Sequence, residues 1–228
     1  MTRPAEPIVQ DSCQTTSSAS GLGAEPREFV VVVHGILSHP WWMALLCKRI
    51  RKAGFATLNW GYRSYLGSLQ YHSQCLRKLL HEHGPHYERI HIVAHSMGCI
   101  VTRTALNQFD LPNLGRVVFL TPPHQGTAIA TRIAPWVRSF LPIVSQLTDE
   151  PDSFVRTLPL PHYPFAIVSA EYDILVPRSS TQLEGCIDYL HVATMHNGVL
   201  FHREVAEKTV RFLQSGSMQP DESPTRSL

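Results

Sequence analysis

Seven consecutive residues carry the strongest chemical signal in the chain: Ile92-Val93-Ala94-His95-Ser96-Met97-Gly98. An apolar, β-branched run leads into a serine, and helix-forming residues follow it. Small residues stand two positions before the serine (Ala94) and two after it (Gly98). A sharp strand-to-helix turn leaves no room for large side chains at those flanks, and it lifts the hydroxyl above the sheet edge. It also sets Ser96 at a helix N-terminus, where free N–H groups stabilise developing negative charge. This is the chemistry of a nucleophilic serine in acyl transfer. The plainer alternative is an ordinary N-cap serine.

A second segment strengthens the first. Val33-His34-Gly35-Ile36 ends a valine-rich run in a tight turn. In a parallel sheet both turns lie at the carboxyl edge, where sites form. The backbone N–H groups of Ile36 and Met97 would then make a pair able to hold an oxyanion. Alternatively, Gly35 simply ends a strand, with His34 a packed and hydrogen-bonded side chain.

These residues need a frame, and the chain alternates strand and helix patterns that supply one. Strand patterns fall at 29–33, 55–60, 89–95, 116–121, 164–170 and 187–194. Phe29-Val30-Val31-Val32-Val33 is the pattern of a strand buried on both faces. Helix patterns lie at 40–53, 69–80, 97–106 and 199–213. In the first of these, opened by Pro40, residues Trp42, Leu45, Leu46, Ile50 and Ala53 share one face. About six mostly parallel strands flanked by helices on both faces follow from this order. The stretch between Thr121 and Pro164 breaks the rhythm, with eight prolines counting Pro164 itself among apolar residues such as Trp136 and Val144. It is too long for an ordinary connection, which suggests a lid or binding loop.

Composition narrows the classes. The chain has 228 residues, 43% of them hydrophobic, which supports one folded domain. A net charge of +2 from 20 basic and 18 acidic residues, without a basic block, gives no footprint for nucleic acid. Five scattered cysteines (13, 47, 75, 99 and 186) without CxxC spacing read as reduced thiols and a cytoplasmic setting. No apolar run suggests a transmembrane segment. Residues 1–27 and 215–228 are polar and read as disordered tails. His81-Glu82-His83 and His86 lack metal-site spacing, and histidines in a last helical turn are explained by the helix dipole. No metal or other cofactor is expected.

His34-Gly35-Ile36 together with Ala94-His95-Ser96-Met97-Gly98 resembles the serine lipases and esterases of the α/β-hydrolase fold, nearest to small bacterial lipase-like proteins. Leu120-Thr121-Pro122-Pro123-His124-Gln125-Gly126-Thr127 is similar to that family's P-H-x-G-[ST] segment, and Phe212-Leu213 matches its end. The likeness runs from about residue 29 to 213. It implies a minimal α/β-hydrolase domain over 28–214, whose first strand corresponds to the family's third, with 122–163 as a lid-like insertion. It implies hydrolysis of small-molecule carboxylic esters, lipid-like ones among them, by a Ser-His-Asp triad. Thioester or amide hydrolysis, acyl transfer, or a catalytically silent binding module are the alternatives.

Chain order in this fold is nucleophile, acid, histidine. The acid would follow the next-to-last strand, where Asp173-Ile174-Leu175-Val176-Pro177 is similar to the family's pattern. Glu171, Asp149 and Asp152 are rivals to Asp173, whose plainer alternative is an Asx-type turn residue. The base would follow the last strand, at His196, with His202 as competitor. Trp41 and Trp42 follow the Gly35 turn and either line an acyl pocket or, for Trp42 above all, pack in the core. The sequence leaves the substrate-binding residues and the oligomeric state open.

Overall fold

The computed structural model describes residues 26–139 and 141–220. Six strands form one sheet: β1 (Glu28–Val33), β2 (Ala56–Trp60), β3 (Arg89–His95), β4 (Leu114–Leu120), β5 (Phe165–Ala170) and β6 (Asp188–Val192). They lie in the order β2-β1-β3-β4-β5-β6, and every neighbouring pair is parallel. The carboxyl ends of all six therefore share one edge.

Alternation along β1 explains the layers. Phe29, Val31 and Val33 face a core built with α2 (Leu69–His83) and α3 (Met97–Leu106). Val30 and Val32 face a second core, built with α1 (Ala44–Lys52) and α7 (Arg203–Ser215). Both faces are covered, so a continuous valine run rather than an alternating one suits this interior strand.

The first helix departs from its expected phase. It opens as a 3₁₀ turn, Pro40–Met43, before α1 begins. A 3₁₀ turn has 3.0 residues rather than 3.6, which rotates the buried stripe to Met43, Leu46, Cys47 and Ile50. Trp42 and Leu45 are left 48% and 38% exposed, off the core face expected for them.

The 122–163 segment folds rather than loops. It holds α4 (Ala128–Val137), a 3₁₀ turn (Pro142–Leu147) and α5 (Phe154–Thr157). Ala130, Ala134, Ile143, Val144, Leu147 and Val155 are buried in the core on the α2–α3 face. A short α6 (Arg178–Thr181) precedes β6. Order also passes residue 215, where a tail was expected to begin. Gly216 caps α7 at φ +88°, and Met218 is buried, its N–H donating to Asp188 Oδ2 at 2.7 Å. At the other end Arg27 pairs with Glu88. Residues 1–25, Cys13 included, and 221–228 lie outside the described residues. No helix among the described residues is long and apolar enough to cross a membrane.

Candidate active site

Ser96 is the single residue between β3 and α3, at φ 53°, ψ −127°. A non-glycine residue held at positive φ is strained, and such strain persists only where the surroundings enforce it. The surroundings here are tight. A Cβ on Gly98 would stand 2.5 Å from the carbonyl oxygen of His34 and 2.7 Å from that of Val33. A Cβ on Gly35 would lie 2.9 Å from Ser96 Cβ. The small residue after the serine is thus required because α3 starts hard against the end of β1. Leu37 (φ 50°) and Thr121 (φ 47°), beyond β1 and β4, are also at positive φ. Three of the four such non-glycine residues cluster at this one edge.

The loops after β5 and β6 bring two more side chains to Ser96. His196 Nε2 lies 2.9 Å from Ser96 Oγ, and His196 Nδ1 lies 2.6 Å from Asp173 Oδ2. The other carboxylate oxygen, Asp173 Oδ1, accepts from the N–H groups of Leu175 and Val176 at 2.9 and 2.8 Å. Asp173 is therefore both the turn residue and the partner of His196. Its side chain is 1% exposed and that of His196 9%. The arrangement assigns the neutral tautomer: Nδ1–H donates to the carboxylate, leaving Nε2 to accept the serine hydroxyl proton.

The competing residues sit elsewhere. Asp149 is held by the Thr131 hydroxyl, and Asp152 and Glu171 are exposed. His202 precedes α7, its carbonyl accepting from Arg49 at 3.2 Å. His81 and His86 are exposed. Among the described residues no group of three or more His, Cys, Asp or Glu is placed to hold a metal ion.

A cavity of about 160 Å³ opens beside Ser96. Gly35, Ile36, Leu37, Trp42, Leu175 and His196 are among its lining residues. Ile36 lines this cavity together with Ser96. Met97 has its side chain in the core, but as the first residue of α3 its N–H lacks an intrahelical acceptor. Asp173 does not line the cavity.

Two further histidines brace the site, and no motif pointed to their contacts. His34 Nδ1 bonds Gly35 O at 2.9 Å, its Nε2 accepts from Tyr62 N–H at 3.4 Å, and Tyr62 Oη donates to His34 O at 2.7 Å. The His34 and Tyr62 rings stack at 4.4 Å. His95 Nε2 bonds the His196 carbonyl oxygen at 3.3 Å, and the two rings lie 4.9 Å apart. Burial holds His34 down to about pKa 4. It holds His95 down to about 3, with His196 beside it pushing the same way. Both stay neutral at neutral pH. Tyr62 follows β2 in a loop without any sequence signature, so nothing local marked it.

A parallel sheet with a strained serine at a strand–helix turn, a histidine and a carboxylate at the same edge defines a hydrolase fold, and the chain belongs to the alpha/beta hydrolase family, whose model matches residues 30–209. Solved structures of similar shape include lipases and an esterase. Lipase B of Aspergillus fumigatus superposes with a TM-score of 0.74 at 17% identity, over 91% of this chain but 57% of that lipase. The chain therefore spans little more than half of that relative. The Pyrococcus furiosus esterase Pf2001 gives 0.59 at 17% identity, over 85% of this chain and 84% of that one. A Paleococcus ferrophilus monoacylglycerol lipase gives 0.56 at 18%, over 82% and 96%. Identities this low speak to the fold alone. No curated protein matches the sequence.

Proposed function

We propose that the protein is a serine hydrolase of carboxylic esters. Membership of the alpha/beta hydrolase family and a lipase- and esterase-like fold support the class. One observation carries the finer reading: the unbroken hydrogen-bond chain from Asp173 through His196 to Ser96, opening into a cavity beside Ile36.

In this reading Ser96 Oγ attacks the ester carbonyl carbon as His196 Nε2 takes the hydroxyl proton. The tetrahedral oxyanion receives hydrogen bonds from the Ile36 and Met97 N–H groups. Each such donor is worth about 2.7–4 kcal/mol in a well-studied protease. Imidazolium then delivers its proton to the leaving alcohol as the C–O bond breaks, which leaves an acyl-Ser96 ester. Water then adds to the acyl carbon as His196 takes its proton; the acyl C–Oγ bond breaks, imidazolium returns that proton to Ser96 Oγ, and the carboxylic acid departs. Asp173 fixes the tautomer and stabilises the imidazolium without itself taking the proton.

The test is covalent. A fluorophosphonate probe should label the protein once, on the peptide containing Ser96, and Ser96→Ala should abolish labelling and ester turnover together. Labelling or turnover that survives the substitution overturns the assignment.

A further inference from the structure

The cavity beside Ser96 is bounded in part by one large side chain, Trp42. None of the described residues lining the cavity comes from 122–163. Its apolar walls are Ile36, Leu37, Leu175 and Trp42, and its volume is about 160 Å³. A closed apolar cavity of about 150 Å³ holds benzene; this cavity is open and also lined by Ser38, His95, Ser96, His196 and Asn197, with room for a hydrocarbon of that order, about six carbons.

Trp42 is firmly held. Its ring meets Phe201 edge-on, with centroids 5.9 Å apart at 62°. Phe201 is in turn tied to α1, because Arg49 Nη1 donates to the Phe201 and His202 carbonyls at 3.0 and 3.2 Å. The 3₁₀ turn carrying Trp42 is pinned by Trp42 N–H to His39 O at 3.0 Å and by Asn59 Nδ2 to Pro40 O at 2.7 Å. This wall belongs to the sheet-backed body of the molecule. Trp42 is also 48% exposed: one part of the ring bounds the cavity and the rest meets water.

We infer that Trp42 is the specificity-determining residue that limits the acyl group to about six carbons. The inference rests on the ester-hydrolase reading above and deepens it. A chain shorter than the limit gains about fourfold in kcat/KM for each methylene buried. A longer one must pass Trp42 into solvent, where further methylenes gain nothing.

The experiment is a series of p-nitrophenyl esters from acetyl to dodecanoyl, with the alcohol released in the first turnover counted to normalise active sites. For the native protein kcat/KM should rise to about hexanoyl and then level or fall. In Trp42→Ala the rise should continue, so that the variant exceeds the native protein at decanoyl by about tenfold or more. Trp42→Phe should fall between them. Phe201→Ala, which removes the brace, should move the limit in the same direction by less. Trp41→Ala and Trp136→Ala, at side chains 79% and 83% exposed and outside the cavity lining, should keep the native profile. Unchanged chain-length profiles in both Trp42 variants overturn the inference, as does a shift produced by Trp136→Ala. An absence of Ser96-dependent release with every ester instead overturns the ester reading, and this inference with it.

Discussion

The turn between β3 and α3 and the 122–163 insertion leave the same sheet edge and solve opposite problems. The turn is one residue long and strained. Its geometry is imposed by the carbonyls of Val33 and His34, which leave no space for a side chain at Gly98. The insertion is long, and it buries several of its own apolar residues. Ile143 and Val155 are fully buried on the α2–α3 face. It also grips α3. Arg103, 4% exposed, donates to Leu158 O and Pro159 O at 3.1 Å each and reaches His124 Nδ1 at 3.3 Å. Burial lowers that guanidinium to about pKa 10, which still leaves it charged at neutral pH. The difference teaches where strain and core completion reside: strained geometry on the tightest connection, core completion on the loosest-looking one.

The sharpest break in this contrast is a matched pair of carboxylates. Asp173→Asn should keep the fold but favour the wrong imidazole tautomer, a change that costs about 10⁴ in kcat in a protease triad. Asp149→Asn, within the insertion, should leave ester turnover within about twofold. Equal losses from the two would erase the distinction. Next in size is a cavity in the insertion: Ile143→Ala should destabilise by about 2–5 kcal/mol in chemical denaturation, with kcat/KM nearly unchanged below the melting range.

Acid probes the other side of the comparison. His34 and His95 have folded pKa values below the ordinary 6.5, so the unfolded chain binds more protons than the native one below that pH. Stability should be level above about pH 6.5 and fall as pH drops toward 4 and then 3. His34 alone accounts for about 3 kcal/mol across its window. His34→Gln should flatten the upper part of that slope in a pH series of denaturation midpoints. The smallest effect is the cap of α4, where Thr127 Oγ1 accepts from Ala130 N–H at 3.1 Å. Thr127→Ala should cost about 1 kcal/mol and leave the acyl-chain profile of the native protein in place.

What could be read in the sequence follows the range of the interaction that encodes it. The strand–serine–helix turn was legible because its demands fall within a few residues of Ser96. Asp173 was harder, since a turn residue and a partner for His196 look alike locally, and the carboxylate does both with its two oxygens. Trp42 was placed on the wrong face because helical phase was counted through a 3₁₀ turn. The helices of 122–163 were hidden by prolines, which mark breaks but say nothing of the short segments between them. Tyr62, packed against His34 and bonded to its carbonyl, carried no signal because its role depends on a partner far away in sequence.

The all-parallel order has a price in time. β1 pairs with β3 across a separation such as that of Glu28 from Arg89, 61 residues apart, and neither neighbour of β1 can be reached by a tight hairpin. Long-range pairing of this kind slows folding. Until residues 56–60 and 89–95 arrive, the run Phe29-Val30-Val31-Val32-Val33 stands open on both edges and both faces. Such a short, uncharged, β-branched stretch is a template for cross-chain strand pairing. This interior strand of the native sheet is thus a segment prone to aggregate during synthesis or refolding, and chains truncated before residue 89 should accumulate as insoluble material.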